Sequence, residues 1–266
     1  MLPINKIYNM DCLEGLRLLD DNSIDLTVTS PPYDNLRTYN GFSWDFEGIA
    51  KELYRVTKDG GVVVWIVGDK VKNGSETGTS FKQALFFMEC GFNLHDTMIY
   101  AKNNPVPQAD KTRYTQAFEY IFVFSKGKPK TINRLMIECQ HKGKVHYGKN
   151  KINDQNCDRY VDRAVKDFKP KTNIWFYNVG INQSSKDKIA SKHPAVFPEQ
   201  LAQDHILSWS NEGDLVLDPF MGSGTTAKMA LLNNRNFIGF EISKDYCDIA
   251  NKRISNHHEQ LKIVGD

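Results

Sequence analysis

Six consecutive apolar residues, Val62-Val-Val-Trp-Ile-Val67, stand between Gly60-Gly61 and Gly68. A strand that is apolar on both faces must be covered on both faces. A sheet with one wet side is therefore excluded, and helices are needed above and below. The flanking sequence offers them. Phe46 to Thr57 carries Ile49, Leu53 and Val56 on one helical face, and Ser80 to Cys90 reads as a helix closed by Gly91. Leu13, Leu16 and Leu19 show the same spacing, and Pro198 to Ser210, Thr225 to Asn233 and Lys244 to Ser255 read as further helices. Short apolar runs alternate with them at Lys6 to Asn9, Asp25 to Thr29, Thr97 to Tyr100, Tyr120 to Phe124, Asp214 to Leu217 and Phe237 to Phe240. Lys58 to Gly61 punctuates the chain before its most apolar strand, and Gly68 to Thr79 reads as a polar loop. This alternation specifies an α/β fold, a mostly parallel twisted sheet with helices on both faces.

Periodicity fades from Gly127 to about Lys192, apart from a short helix expected near Asp158 to Phe168. Charge changes over the same stretch. From Lys126 to Lys192 there are 16 Lys and Arg against 6 Asp and Glu, while the rest of the chain carries 18 against 26. A basic insertion in an acidic body suits a polyanionic partner such as nucleic acid. A solvated basic loop fits the charge equally well. At 266 residues the chain can form one large domain with such an insertion. No apolar run is long enough to span a bilayer. The N-terminal residues lack a secretory pattern, and the five cysteines are too scattered for a disulfide framework, so a cytoplasmic setting is expected.

Two stretches carry chemistry. In "LVLDPFMGSGTTAKMALLNNRNFIGFEIS" an apolar strand ends at Asp218, a glycine turn leads into a helix, and the next strand ends at Glu241. Gly222 and Gly224 allow positive φ and close backbone approach, and Thr225 or Thr226 can cap the helix. Glu241 can accept hydrogen bonds from the two hydroxyls of a ribose. The loop has no Gly-Lys-Ser/Thr ending, which argues against a triphosphate. In "VTSPPYDN" the diproline Pro31-Pro32 stops a strand immediately before Tyr33.

"TSPPY" and "DPFMGSGTT" together resemble the catalytic motif and cofactor loop of the DNA amino-methyltransferases. Those enzymes methylate an exocyclic base nitrogen with S-adenosylmethionine. The catalytic motif comes first here, a basic variable stretch follows, and the cofactor loop lies near the C-terminus. That order is similar to the β group, a circularly rearranged form of the Rossmann-like methyltransferase fold. "KHPAVFPEQL" resembles the group's additional cofactor motif, and "KNNPVPQADKTRYTQAFEYIFVFSKG" resembles the segment closing its catalytic half.

The resemblance implies specific roles. Ser30, Pro31, Pro32 and Tyr33 would be catalytic. Asp218, Phe220, Gly222, Ser223, Gly224 and Thr225 would surround the methionine and ribose of the cofactor, with Glu241 on the ribose hydroxyls. Asp11 matches an acidic position near the adenine, although a plain helix cap serves as well. Phe197 would pack beside the cofactor or belong to the ordinary core. Residues 1–126 would form the catalytic half, 127–190 a target-recognition insertion, and 191–266 the cofactor half. The substrate would be double-stranded DNA, bound with or without a cognate restriction endonuclease in a restriction-modification setting, by a monomer or homodimer.

The residue types in the catalytic motif fit that chemistry. Neither proline has an N–H, so the carbonyls of Ser30 and Pro31 can accept from an amine, and the Ser30 hydroxyl can accept or donate. The target base must be flipped out of the duplex, and Tyr33 could stack on it. A serine before the diproline is more typical of cytosine-N4 enzymes in this family, and Asp or Asn of adenine-N6 enzymes. Cytosine N4 is therefore the expected target and adenine N6 the alternative; a non-catalytic DNA-binding protein is the rival outside enzymes. Lys126, Lys128 and Lys130, with the lysines from 142 to 151, are expected on phosphates. Cys139, His141, His146 and Cys157 match no common zinc spacing, so no metal is expected.

Overall fold

The computed structural model describes residues 2–32, 44–107, 112–146, 149–150, 159–160, 163–180, 183–185, 187, 189–190 and 197–264. The chain divides into two compact units: residues 1–133 with 173–266, and residues 134–172.

In the first unit β1 (Lys6–Asn9) leads through α1 (Cys12–Arg17) to β2 (Ile24–Thr29), and α2 (Phe46–Val56) leads to β3 (Thr57–Val67). A small hairpin, β4 (Val71–Lys72) and β5 (Ser75–Glu76), lies where a polar loop was expected. Helix α3 (Thr79–Glu89) and strands β6 (Asn93–Lys102) and β7 (Phe118–Ser125) follow. In the second unit the described strands pair as β8 (Met136–Glu138) with β13 (Phe168–Pro170), β9 (Val145–His146) with β12 (Arg163–Ala164), and β10 (Lys149–Asn150) with β11 (Arg159–Tyr160). The chain then returns to the first unit as β14 (Ile174–Tyr177), α4 (Glu199–Trp209), β15 (Leu215–Asp218), α5 (Thr225–Leu232), β16 (Asn236–Glu241) and α6 (Lys244–Val264).

Eight strands form one sheet in the order β1-β16-β15-β2-β3-β7-β6-β14. Only β7 runs against its neighbours, so the other strands present their C-terminal ends on one edge. Strand β3 shows why both faces are covered. Val63, Trp65 and Val67 join a core with Leu16 of α1, Ile49 and Leu53 of α2, and Phe87 of α3. Val62, Val64 and Ile66 point the other way and are equally buried. Leu201, Ala202 and Ile206 of α4 and Ala227 and Ala230 of α5 are buried as well.

Three sequence expectations change. The glycine pair at 60–61 does not begin a new element; it bulges out of β3, whose partner jumps from Thr57 to Val62 as β2 advances from Ile24 to Leu26. The helix expected near 158–168 is replaced by extended segments, because Arg163 and Ala164 pair with His146 and Val145, and Phe168 with Glu138. All three pairings lie in near-constant register, so the second unit is an interrupted β-hairpin rather than irregular chain. Its limits, 134–172, lie inside the basic stretch 127–190, whose tail supplies edge strand β14 to the main sheet.

Candidate active site

Strand order reverses between β15 and β2. From β15 the chain passes through α5 to β16 on one side, and from β2 it passes through α2 to β3 on the other. Ligands of open α/β sheets bind outside the C-terminal strand ends at such a switch point. The two motifs meet there. Thr29, the last residue of β2, donates its hydroxyl to Asp218 Oδ1 at 2.6 Å, and Asp218 is the last residue of β15. Ser30 follows half-buried, Pro31 is buried and Pro32 half-buried. Tyr33, Arg37 and Tyr39 lie outside the described residues, as do His193 and Pro194.

Asp218 is fully enclosed, and burial pushes its carboxyl up to about 6 against the pull of hydrogen bonds from Thr29 and the Phe220 N–H. The Phe220 ring packs edge-on to Trp44 at 5.2 Å and to Trp65 at 6.2 Å between centroids. Beyond it the loop takes positive φ at Gly222 (52°) and Gly224 (81°). Gly222 N donates to Glu241 Oε2 at 2.8 Å, and Ser243 N donates to Glu241 Oε1 at 2.9 Å. Burial raises the Glu241 carboxyl while these N–H groups lower it. Asn9 donates its amide to the carbonyls of Glu241 and Ile242, joining the end of β1 to that of β16.

The helix cap differs from expectation. Gly224 occupies the N-cap of α5 without a side-chain bond, and Thr226 instead donates to the Val28 carbonyl of β2. Asp11 does cap a helix, its Oδ1 accepting from Leu13 N and Glu14 N. Phe197 is half-buried just ahead of α4. Lys126, expected on phosphate, is held within the fold by Asn22 Oδ1 and the carbonyls of Tyr54 and Thr57, with its ammonium 4.6 Å from the Tyr54 ring centroid.

Sequence reading missed two groups. Thr29 stands in "TSPPY", but the motif assigns it no role beyond ending the strand. Arg253 is fully buried and touches Ser223 and Thr225 of the loop. A signal for it existed: Cys247, Ala250 and Arg253 share the buried stripe of α6.

The donor set suits the nucleoside part of S-adenosylmethionine. The Glu241 oxygens accept backbone N–H groups, among them those of Gly222 and Ser243, and keep lone-pair capacity for a ribose hydroxyl. The cation that a triphosphate loop carries after its last glycine is missing, for Gly224 is followed by Thr225 and Thr226. Among the described residues no cluster of three or more His, Cys, Asp or Glu could hold a metal ion, and no helix is long and apolar enough to cross a membrane.

The family model described as DNA methylase, of the N6/N4 type, matches residues 24–252. The chain belongs to the N6/N4 DNA methylase family. As a member, it is an S-adenosylmethionine-dependent DNA methyltransferase. This methylase is 60% identical over 257 residues to the orphan methyltransferase M.BamHII of Bacillus amyloliquefaciens, covering 93% of this chain and 96% of that one. It is 29% identical over 267 residues to the type II methyltransferase M.BglII of Bacillus subtilis, covering 97% and 71%. Among solved structures, the M1.HpyAVI–SAM complex superposes with a TM-score of 0.60 at 26% identity, covering 93% of this chain and 98% of that one. The cytosine-N4-specific PvuII DNA methyltransferase shares the fold with a TM-score of 0.67 at 22% identity, covering 92% and 84%.

Proposed function

We propose that this methylase acts on a base flipped out of double-stranded DNA, and that the base is cytosine, methylated at N4. The bond from Thr29 to Asp218 is the observation that best supports the site, because it sets Ser30 next to the start of the cofactor loop. In this reading Asp218, Phe220, Gly222, Ser223, Gly224, Thr225 and Glu241 hold the cofactor, with Asp11 toward the adenine and Phe197 alongside. Bound S-adenosylmethionine supplies an electrophilic methyl group on a sulfonium.

The protein's task is to make a poor nucleophile attack. The lone pair of an exocyclic amine is delocalised into the ring. The carbonyls of Ser30 and Pro31 accept its N–H groups and turn that lone pair out of the ring plane. Such fixed dipoles stabilise the developing positive charge without reorganising. Tyr33 stacks on the flipped base, a contact worth about 1–3 kcal/mol. The amine would lose its proton to water only after the new N–C bond has formed and the methyl–sulfur bond has broken, the sulfur leaving as a neutral thioether.

Ser30 carries the choice of base. A hydroxyl can donate toward the acceptor edge of cytosine, whereas an aspartate would better serve an adenine amine becoming cationic. The basic stretch 127–190 acts as the target-recognition insertion between halves 1–126 and 191–266. The enzyme works in the cytoplasm as a monomer or homodimer, with or without a cognate endonuclease.

Purified protein incubated with methyl-labelled S-adenosylmethionine and mixed-sequence duplex DNA, followed by mass spectrometry of the nucleosides, tests the reading. N4-methylcytosine is expected. N6-methyladenine would overturn the choice of base, and cofactor binding without labelled DNA would overturn the reaction.

A further inference from the structure

A group of charges centred on the buried Arg253, and not used by the chemistry above, bonds the glycine loop. Arg253 of α6 donates through Nη1 to the Ser223 carbonyl at 2.6 Å, to Ser223 Oγ at 3.0 Å and to Thr225 Oγ1 at 3.3 Å. Nη2 reaches Glu199 Oε1 at 2.6 Å and Ser185 Oγ at 3.3 Å, and Nε reaches Asp187 Oδ2 at 3.1 Å. Lys228 of α5 binds the same two acids with its ammonium, at 2.7 Å from Asp187 and 2.9 Å from Glu199, and meets the loop through its backbone N–H, which donates to the Gly224 carbonyl at 3.0 Å. Burial favours a neutral Asp187, yet Lys228 and Arg253 hold its carboxyl below the usual range.

The bonds from Arg253 reach three pieces of chain. Asp187 and Ser185 precede the segment "KHPAVFPEQL", Glu199 lies within it, and Ser223 is the centre of the loop. Fixing the Ser223 carbonyl fixes the peptide plane between the two positive-φ glycines, whose other end, Gly224 N, is bound to the Met221 carbonyl at 2.9 Å. One residue earlier, Glu241 holds Gly222 N. The loop is thus held by an acid at Gly222 and a guanidinium at Ser223.

We propose that Arg253 is a positioning residue for the cofactor, acting through the Ser223 carbonyl to hold the glycine loop in its binding shape; this rests on that loop being the S-adenosylmethionine site. A guanidinium can serve loop and acids at once because its donors form a planar fork. An ammonium cannot span both. Arg253 touches no reacting atom, so its loss weakens cofactor binding and leaves the methyl-transfer step largely intact.

The test uses the full chain carrying Arg253→Met, Arg253→Lys, Lys228→Met or Asp218→Ala. The readouts are the Kd for S-adenosylmethionine by isothermal titration, kcat and KM on duplex DNA, and thermal unfolding. Arg253→Met is expected to raise Kd about tenfold or more, with kcat at saturating cofactor within about threefold of wild type. Arg253→Lys falls between, and decides the matter if the Met variant does not fold. Lys228→Met melts earlier but keeps its Kd within about twofold, because it removes the acid contacts and keeps the backbone bond to the loop. A wild-type Kd in the Arg253 variants, or an equal rise in Lys228→Met, overturns the inference. Asp218→Ala separates the two possible failures. An unchanged Kd there removes the site assignment and this inference with it; a weakened Kd there, beside unaffected Arg253 variants, removes the inference alone.

Discussion

Asp218 shows what the site costs the fold. Its ordinary carboxyl value is 3.8, and burial lifts it to about 6 in the folded chain. A raised acid is at its most favourable below the unfolded value. Stability is therefore lost as pH rises from about 4 through 6, by an amount on the order of 3 kcal/mol. Asparagine should relieve that cost. Its carbonyl can accept from Thr29 and the Phe220 N–H, and its amide can donate to the Thr226 hydroxyl, which itself donates to Val28. Asp218→Asn is expected to be more stable than wild type at pH 8 by about 1–3 kcal/mol in urea unfolding, with the gain shrinking toward pH 5. A variant less stable at pH 8, or a gain independent of pH, would contradict this account. A gain of that size would fit the proposed role of the carboxylate toward the ligand rather than a role in the fold.

At the scale of elements, the turn from β15 into α5 leaves no room for a side chain. A Cβ on Gly224 would lie 2.8 Å from Ala250 Cβ of α6, at a φ of +81°. Gly224→Ala should cost about 2–4 kcal/mol, and adding Ala250→Gly should recover the steric part while the backbone strain stays. Denaturant curves of the single and double variants measure this; full recovery, or none, would show that the contact had been misjudged. Such local demands are what made the site readable. Glycines, a diproline and acids at strand ends are fixed by the turn in which they stand, so Ser30 to Pro32 and Asp218 to Glu241 fall where the sequence places them. Helices α2 and α3 and strand β1 were legible for the same reason, through apolar spacing. Features made by distant partners were not. Strand β14 buries Trp175 and Tyr177 and exposes Ile174 and Phe176, a period of two that the sequence displays, but its partners on β6 lie far back in the chain. Around residue 160 helical spacing gave way to pairing across a hairpin. Arg253 binds residues far away in sequence, and no short motif announces such a bond.

At the scale of the molecule, charge is divided between an acidic body and a basic unit. Lys144, Lys166 and Lys169 of the second unit are exposed. If they neutralise phosphates, replacing all three with glutamine should reduce the salt-dependence slope of DNA binding by roughly 0.9 per lysine and leave the cofactor Kd unchanged. A slope equal to wild type in fluorescence anisotropy at several salt concentrations would place the DNA elsewhere. Replacing residues 134–172 with a Gly-Ser linker should keep S-adenosylmethionine binding and abolish methylation of DNA; loss of cofactor binding in a folded variant would show that the sheet needs the insertion. The two borders favour the first outcome. Asn133 is fastened to the carbonyls of Leu207 and Ser210, and Asn173 to that of Thr97, all within the large unit. These asparagines are sutures. If the proposed division holds, a hairpin spliced between them would inherit a finished enzyme, and a new DNA address could be acquired by exchanging one cassette while the chemistry is left unedited.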